Sequence, residues 1–265
     1  MAAGCDRKTE ETPAQPAAGD TAVTSDAELM AAAEAAAKAS ADPASAASGQ
    51  PEPMDAPPPP TDAPAATGAV PGLTLGTDYK IIPNGQPFEP LNGKIEVVEV
   101  FNFVCPACAS FQPLVVSWKK RLPPDVRFTY VPAAFGGNWD QFVRSYYAAQ
   151  TMGIAEKAHE KTYDAIHLED KLKGERGEDS DAAIAAFYSQ FGVDAKQFAG
   201  NMRSFAVTGK YNKARQYIIS AGVNSTPTVI VNGKYKVEGR SFEDKVRIAD
   251  ILIAHERGQG ASATP

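Results

Sequence analysis

Ile95-Glu96-Val97-Val98-Glu99-Val100-Phe101-Asn102-Phe103-Val104-Cys105-Pro106-Ala107-Cys108 is the stretch on which the reading of this chain turns. From Ile95 to Phe103 it is β-branched and aromatic, nearly without interruption, and Asn92-Gly93 bounds it upstream. Such a run predicts a strand covered on both faces. At Cys105 the period changes. Cys108, Phe111, Val115, Trp118 and Leu122 recur at helical spacing and form one apolar face. Pro106 fits the first helical position, where a missing N–H is harmless. Pro113 is expected to kink the helix, because it cannot donate to the carbonyl of Ala109. Pro123-Pro124-Asp125 ends it.

A C-x-x-C motif at such a strand-to-helix junction has a physical logic. Cys105 stands where free backbone N–H groups and the positive helix end stabilise a thiolate. Thiolate is the nucleophile of disulfide exchange. Cys108 lies one turn on, on the buried face, where it can attack the Cys105 sulfur and resolve a mixed disulfide. The same two thiolates could instead hold a metal, but the four closely spaced Cys/His ligands of a structural zinc site are missing, and no metal site is expected. Glu99 alternates along the strand with Ile95, Val97 and Phe101. A carboxyl there is poorly solvated, which raises its pKa, and it is a candidate proton acceptor for Cys108.

Outward from this stretch, Tyr79–Ile82 is a short strand candidate and Val126–Val131 follows the helix as the next strand. Helical patterns then fill Trp139–Met152, Ile154–Leu168, Ser180–Phe191 and Ala195–Ser220. Thr228–Val231 and Lys234–Val237 flank Asn232-Gly233, a strong hairpin signal. Ser241-Phe242-Glu243-Asp244 resembles a capping box opening a last helix through His255. The order predicts an α/β chain: a thioredoxin-like fold with an inserted all-helical domain. The frame occupies 73–137 and 221–257, the insert 138–220.

The remaining segments are 1–72 and 258–265. In the first, Ala, Pro, Thr and acidic residues dominate, and Phe, Trp, Tyr and Ile are absent. It cannot bury enough apolar surface to offset its ordering entropy and reads as a disordered tether; the last eight residues read as a tail. Ala2-Ala3-Gly4-Cys5 looks like the end of a bacterial lipobox without the charged and apolar regions of a signal peptide before it, so either the start lies further upstream and Cys5 is expected to carry a lipid, or the match is accidental. Of the chain's three cysteines, Cys5 is the one outside the motif. Net charge is −6 without a basic run, which argues against nucleic acid. No apolar stretch approaches the ~20 residues of a membrane-spanning helix. His159 and His167 read as surface residues, Lys171–Asp179 as a solvated loop, and Trp139, Phe142, Tyr146 and Tyr147 as the core of the helical block.

Taken together, Val98–Cys108, Arg121-Leu122-Pro123-Pro124-Asp125-Val126, Phe135-Gly136-Gly137, Thr226-Pro227-Thr228 and Val231-Asn232-Gly233-Lys234-Tyr235 resemble the DsbA family of bacterial periplasmic disulfide oxidases, over about Tyr79 to His255. The resemblance implies that Cys105 is the exposed nucleophile and Cys108 its buried partner, with Pro106 and Ala107 between them. Glu99 corresponds to the family's buried acid. Pro227 corresponds to a cis-proline facing the disulfide, and Thr226 before it to the backbone that pairs with substrate. It further implies a cofactor-free enzyme that introduces disulfides into reduced exported proteins and is reoxidised by a DsbB-like, quinone-linked membrane partner. The Ala/Pro-rich N-terminal region, where dimeric isomerases of the superfamily carry a folded domain, argues for a monomer. Two positions depart from the pattern. Ala107 stands where the best-known member has His, and Tyr130 where the family has a lysine near the buried acid. Both put the oxidising strength in question, and an isomerase or reductase on the same fold is the alternative.

Overall fold

A computed structural model describes residues 69–262, with side chains through 259. Cys5 and most of the expected tether lie outside that range. The elements are β1 (Tyr79–Ile81), β2 (Ile95–Phe101), α1 (Pro106–Lys119), β3 (Val126–Pro132), α2 (Asn138–Thr151), α3 (Ala155–His167), α4 (Asp181–Ser189), α5 (Ala195–Met202), α6 (Phe205–Ser220), β4 (Thr228–Val231), β5 (Tyr235–Val237) and α7 (Phe242–Ser262). A single 3-10 turn, Gly174–Arg176, sits between α3 and α4.

The five strands form one sheet in the order β1-β5-β4-β2-β3. β2 pairs parallel with β3 and antiparallel with β4, so every one of its residues is buried, as its unbroken apolar run requires. The parallel β2–β3 pair is joined through α1, the crossover that parallel strands need. β4 and β5 close through Asn232 (φ 50°) and Gly233 (φ 67°), both left-handed as a type I′ hairpin demands. A Cβ at Gly233 would also meet the Gln86 carbonyl oxygen at 2.0 Å, so only glycine fits there.

Helices cover both faces of the sheet. On one side Phe111, Val115 and Trp118 of α1 pack with Val97, Val229 and Val231 of the sheet and Ile248 and Leu252 of α7. Trp118 Nε1 ties the two helices by donating to Asp250 Oδ1 at 2.7 Å. A second core joins Phe101 and Phe103 to Phe142, Tyr146, Ile166, Ile184, Tyr188 and Met202 of the helical block.

Several expectations change at this level. The fold begins before Leu73: Val70 is buried and its N–H donates to the Tyr79 hydroxyl at 3.1 Å. β2 stops at Phe101 because Asn102 turns the chain. The single helix expected over Ala195–Ser220 is two, because Ser204 leaves the helical region (φ −67°, ψ 157°) and its Oγ caps Val207 N. The final helix continues past His255 to Ser262, where a tail was expected from 258.

The Lys171–Asp179 loop is not simply solvated. Leu172, Gly174 and Asp179 are buried, and Asp179 Oδ2 accepts from the N–H groups of Lys173 (2.9 Å) and Gly174 (3.2 Å). Nor are the two histidines surface residues. His159 is only 5% exposed, and His167 Nε2 lies 2.8 Å from the Phe103 carbonyl. Both face inward because α3 packs against the aromatic side chains of β2 and β3.

Candidate active site

The site is built where β2 ends. Asn102 holds the turn. Its Nδ2 donates to the carbonyls of Ala133 (2.9 Å) and Trp139 (3.2 Å), and its Oδ1 accepts from Val104 N (3.1 Å). Cys105 N then donates to Asn102 O at 3.1 Å. These bonds fix Cys105 in extended backbone as the cap residue of α1, with Pro106 at the first helical position. The loop after α3 braces the same turn: Gly174 lies against Val104, where a Cβ would meet Ile166 Cγ2 at 2.6 Å.

Cys105 Sγ accepts from Cys108 N at 3.4 Å and lies 3.6 Å from the Thr226 carbonyl oxygen, to which its thiol donates. The Thr226–Pro227 peptide is cis, and Thr228 Oγ1 closes the following turn by donating to Ser225 O at 2.8 Å. Cys105, Cys108, Thr226 and Pro227, far apart in sequence, therefore meet in space. Cys105, the expected nucleophile, is less open than that reading implied. Cys105 is 6% exposed, while Pro106 and Ala107 beside it are exposed and Cys108 is fully enclosed. The Thr226 turn lying over Cys105 accounts for the difference.

The two thiols differ in acidity. Cys105 is lowered to about 6, chiefly by its hydrogen bond with the Cys108 thiol, which outweighs burial. The Thr226 hydroxyl and the backbone N–H groups of Cys108 and Ala107 add to the lowering. Cys108 is pushed well up, first by burial, then by giving its proton to the hydrogen bond with Cys105 and by the nearby negative charges of Cys105 and Glu99. These shifts favour a thiolate on Cys105, in which form it no longer donates to Thr226, and a thiol on Cys108; neither sulfur is in a disulfide in this structure.

Glu99 lies beneath them, fully buried. Burial raises its pKa to about 8; Lys119 opposes the shift and the Cys105 charge adds to it. Glu96, three residues earlier and just as buried, faces the other side of the sheet. Its carboxylate accepts from Phe88 N (2.6 Å) and Arg127 Nη2 (2.8 Å). Neither oxygen of Glu99 has a hydrogen-bond partner among the described residues. In the β2–β3 register Glu99 pairs with Tyr130, whose hydroxyl shares hydrogen bonds with the Gln112 side-chain amide at 3.3–3.4 Å. Sequence reasoning missed Asn102 and the bracing loop. The one signal for Asn102 was a polar side chain interrupting the apolar run. Among the described residues no group of three or more His, Cys, Asp or Glu side chains is placed to hold a metal ion, and no helix is long and apolar enough to cross a membrane.

A split dithiol capping the first helix after a central strand, opposite an X-Pro turn, defines a thioredoxin-fold thiol:disulfide oxidoreductase. Residues 91–250 match the family model described as Thioredoxin. The thiol:disulfide interchange protein DsbA of Pseudomonas aeruginosa is 37% identical over 191 residues, covering 69% of this chain and 86% of that protein. DsbA of Azotobacter vinelandii is 35% identical over 189 residues, covering 70% and 85%. Among solved structures, the oxidoreductase DsbA from Xylella fastidiosa superposes with a TM-score of 0.68 at 41% identity, covering 70% of this chain and 98% of that one. The chain belongs to the DsbA family of thiol:disulfide interchange proteins.

Proposed function

We propose that the chain works as an oxidase, carrying disulfides to reduced exported proteins in the periplasm. The observation that carries this reading is the split of the two thiols, Cys105 lowered to about 6 and Cys108 raised. A stabilised Cys105 thiolate favours the reduced form, and so makes the Cys105–Cys108 disulfide a strong oxidant.

A substrate thiolate attacks Cys105 Sγ and breaks the Cys105–Cys108 bond. The electron pair of that bond leaves on Cys108, which takes a proton from the Glu99 carboxyl. The substrate's second thiolate then attacks the substrate sulfur of the mixed disulfide, and Cys105 leaves as a thiolate, a good leaving group at its low pKa. Thr226 and Pro227 lie against Cys105 and offer the Thr226 backbone to an extended substrate segment. Reoxidation runs the same steps backwards on the disulfide of a DsbB-like, quinone-linked membrane partner. The enzyme acts as a monomer. A lipid on Cys5 would tether it to a membrane through the Ala/Pro-rich arm.

A redox titration against glutathione tests the direction. The expected potential lies between about −120 mV, the reference for a strongly oxidising DsbA, and about −270 mV, that of thioredoxin. A value at or below thioredoxin's would make the chain a reductase. Stoichiometric metal in protein purified without chelator would favour thiolate metal binding instead.

A further inference from the structure

We propose that His159 is the proton relay of this site, passing the proton that Glu99 exchanges with Cys108 to solvent through the cleft between α1, β3 and α3. The inference rests on the reading of Glu99 as the proton partner of Cys108 and extends it to the rest of the path.

Each time the disulfide closes, the Cys108 S–H bond breaks. The sulfur's electron pair forms the bond to Cys105 and the proton passes to the Glu99 carboxylate. At neutral pH Glu99 holds a proton of its own before each closure, the first included, so that proton must leave before Cys108 can hand over its proton, and each opening draws one back. Glu99 is enclosed, so it needs a carrier.

The structure places one against the side chains that neighbour Glu99. Tyr130, the register partner of Glu99, lies with its ring 4.2 Å from the His159 ring. Phe101, next to Glu99 on the same strand face, is 4.9 Å from that ring, and Tyr163 is 5.5 Å from it. His159 Nε2, Tyr163 Oη and both Glu99 oxygens are buried polar atoms without a hydrogen-bond partner among the described residues. Such atoms gathered in one region are the usual hosts of buried water, which both satisfies and connects them.

His159 also lines a solvent-open cleft of about 440 Å³, whose wall includes Lys119, Tyr130, Glu156 and Glu160. The charged groups that share this wall with the ring are Lys119 and Lys120 from α1 and the two glutamates of its own helix; Tyr130, Tyr146 and Tyr163 pack around it as phenols. Burial and Lys119 hold His159 down to about 3. It stays a neutral imidazole, which passes a proton by accepting on one nitrogen and releasing from the other rather than by storing charge.

The test follows closure of the Cys105–glutathione mixed disulfide. Reduced protein is mixed with enough oxidised glutathione that closure limits, then quenched with acid and read by mass. Glu99→Gln and His159→Leu should each slow closure by about tenfold or more, within what positioned proton-transfer groups contribute. Added imidazole should restore His159→Leu, while thiophene, a ring of similar shape that carries no proton, should not. Ala155→Phe, which narrows the cleft mouth one turn before His159, should slow closure too and covers a His159→Leu protein that does not fold. Glutathione equilibrium constants should be unchanged in the His159 and Ala155 variants, since a relay alters rates only. If Glu99→Gln is slow while His159→Leu and Ala155→Phe close at the parent rate, the relay is overturned and the role of Glu99 stands. If Glu99→Gln itself closes normally, both fall. Rescue by thiophene as well as imidazole would make His159 a packing residue and overturn the relay.

Discussion

Replacing Glu99 by Gln should flatten the pH dependence of stability of the reduced protein. In the folded state Glu99 holds its proton up to about pH 8, against 4.5 for a free carboxyl. Between those values the native state binds one proton more than the unfolded chain, so stability falls as pH rises. Each pH unit in that window removes about 1.4 kcal/mol. At pH 7 roughly 3 kcal/mol has gone, and above pH 8 about 5 kcal/mol, relative to pH 4. Cys105 works in the opposite sense. Its folded value of about 6 lies below the ordinary 9.0, so its contribution appears as pH rises through that interval and partly masks Glu99. The comparison of parent with Glu99→Gln removes this overlap, because Cys105 is common to both. Urea unfolding of both proteins under reductant, from pH 4.5 to 8.5, supplies the two curves. With a slope of about 1–3 kcal/mol per molar, the difference in midpoint should widen by roughly 1 M or more in favour of Glu99→Gln across the window. A constant offset added to that widening would reflect only the buried amide. Parallel curves would show that Glu99 is ionised in the folded protein, and the proton-exchange account of Cys108 would be refuted.

Three further outcomes are expected. Cys108→Ala should accumulate mixed disulfides with substrate proteins on non-reducing gels, since nothing remains to resolve them; accumulation by Cys105→Ala instead would reverse the two roles. Ala107→His should lower the Cys105 pKa, followed by thiolate absorbance, and raise the potential by about 30 mV for each tenfold change in equilibrium constant; an unchanged potential would remove the second intervening residue from control. Mass spectrometry of natively produced protein should find an acyl group on Cys5, and an unmodified Cys5 in exported protein would end the tether proposal.

The parts legible in the sequence are those set by local chemistry. The apolar run of β2, the period change at Cys105, Pro106 at the helix start and Asn232-Gly233 in the hairpin each follow from a few neighbouring residues, and alternation placed Glu99 on a buried face. The rest depended on distant partners. The eight-residue spacing of His159 and His167 puts them on one face of α3, but periodicity does not say what covers that face. The cover comes from Phe101, Phe103 and Tyr130, brought over by the β2–β3 pairing. The Lys171–Asp179 segment reads as polar, yet Asp179 turns inward to take two backbone N–H groups, and Gly174 allows close approach to Val104. The break at Ser204 had a visible cap residue, but Ser is common enough inside helical patterns that Ala195–Ser220 read as continuous.

The two departures from the family pattern weigh differently once the geometry is known. None of the groups that lower Cys105 belongs to the side chain at position 107. They are the Cys108 thiol, Thr226 and two backbone N–H groups, so Ala107 forgoes a further contribution and leaves the existing ones in place. Tyr130 removes a strand lysine beside Glu99, but a cation returns from another element. Lys119, at the end of α1, sits with its ammonium 4.6 Å from the centre of the Tyr130 ring. From that position it attracts the Glu99 charge without overcoming burial, and Glu99 remains near 8, close enough to neutrality for the proton exchange proposed with Cys108. A carboxyl paired directly with a lysine would titrate lower and would less often hold a proton to give the Cys108 thiolate. Tyr130→Lys should therefore lower the Glu99 pKa, and with it the pH at which stability begins to recover in the comparison above.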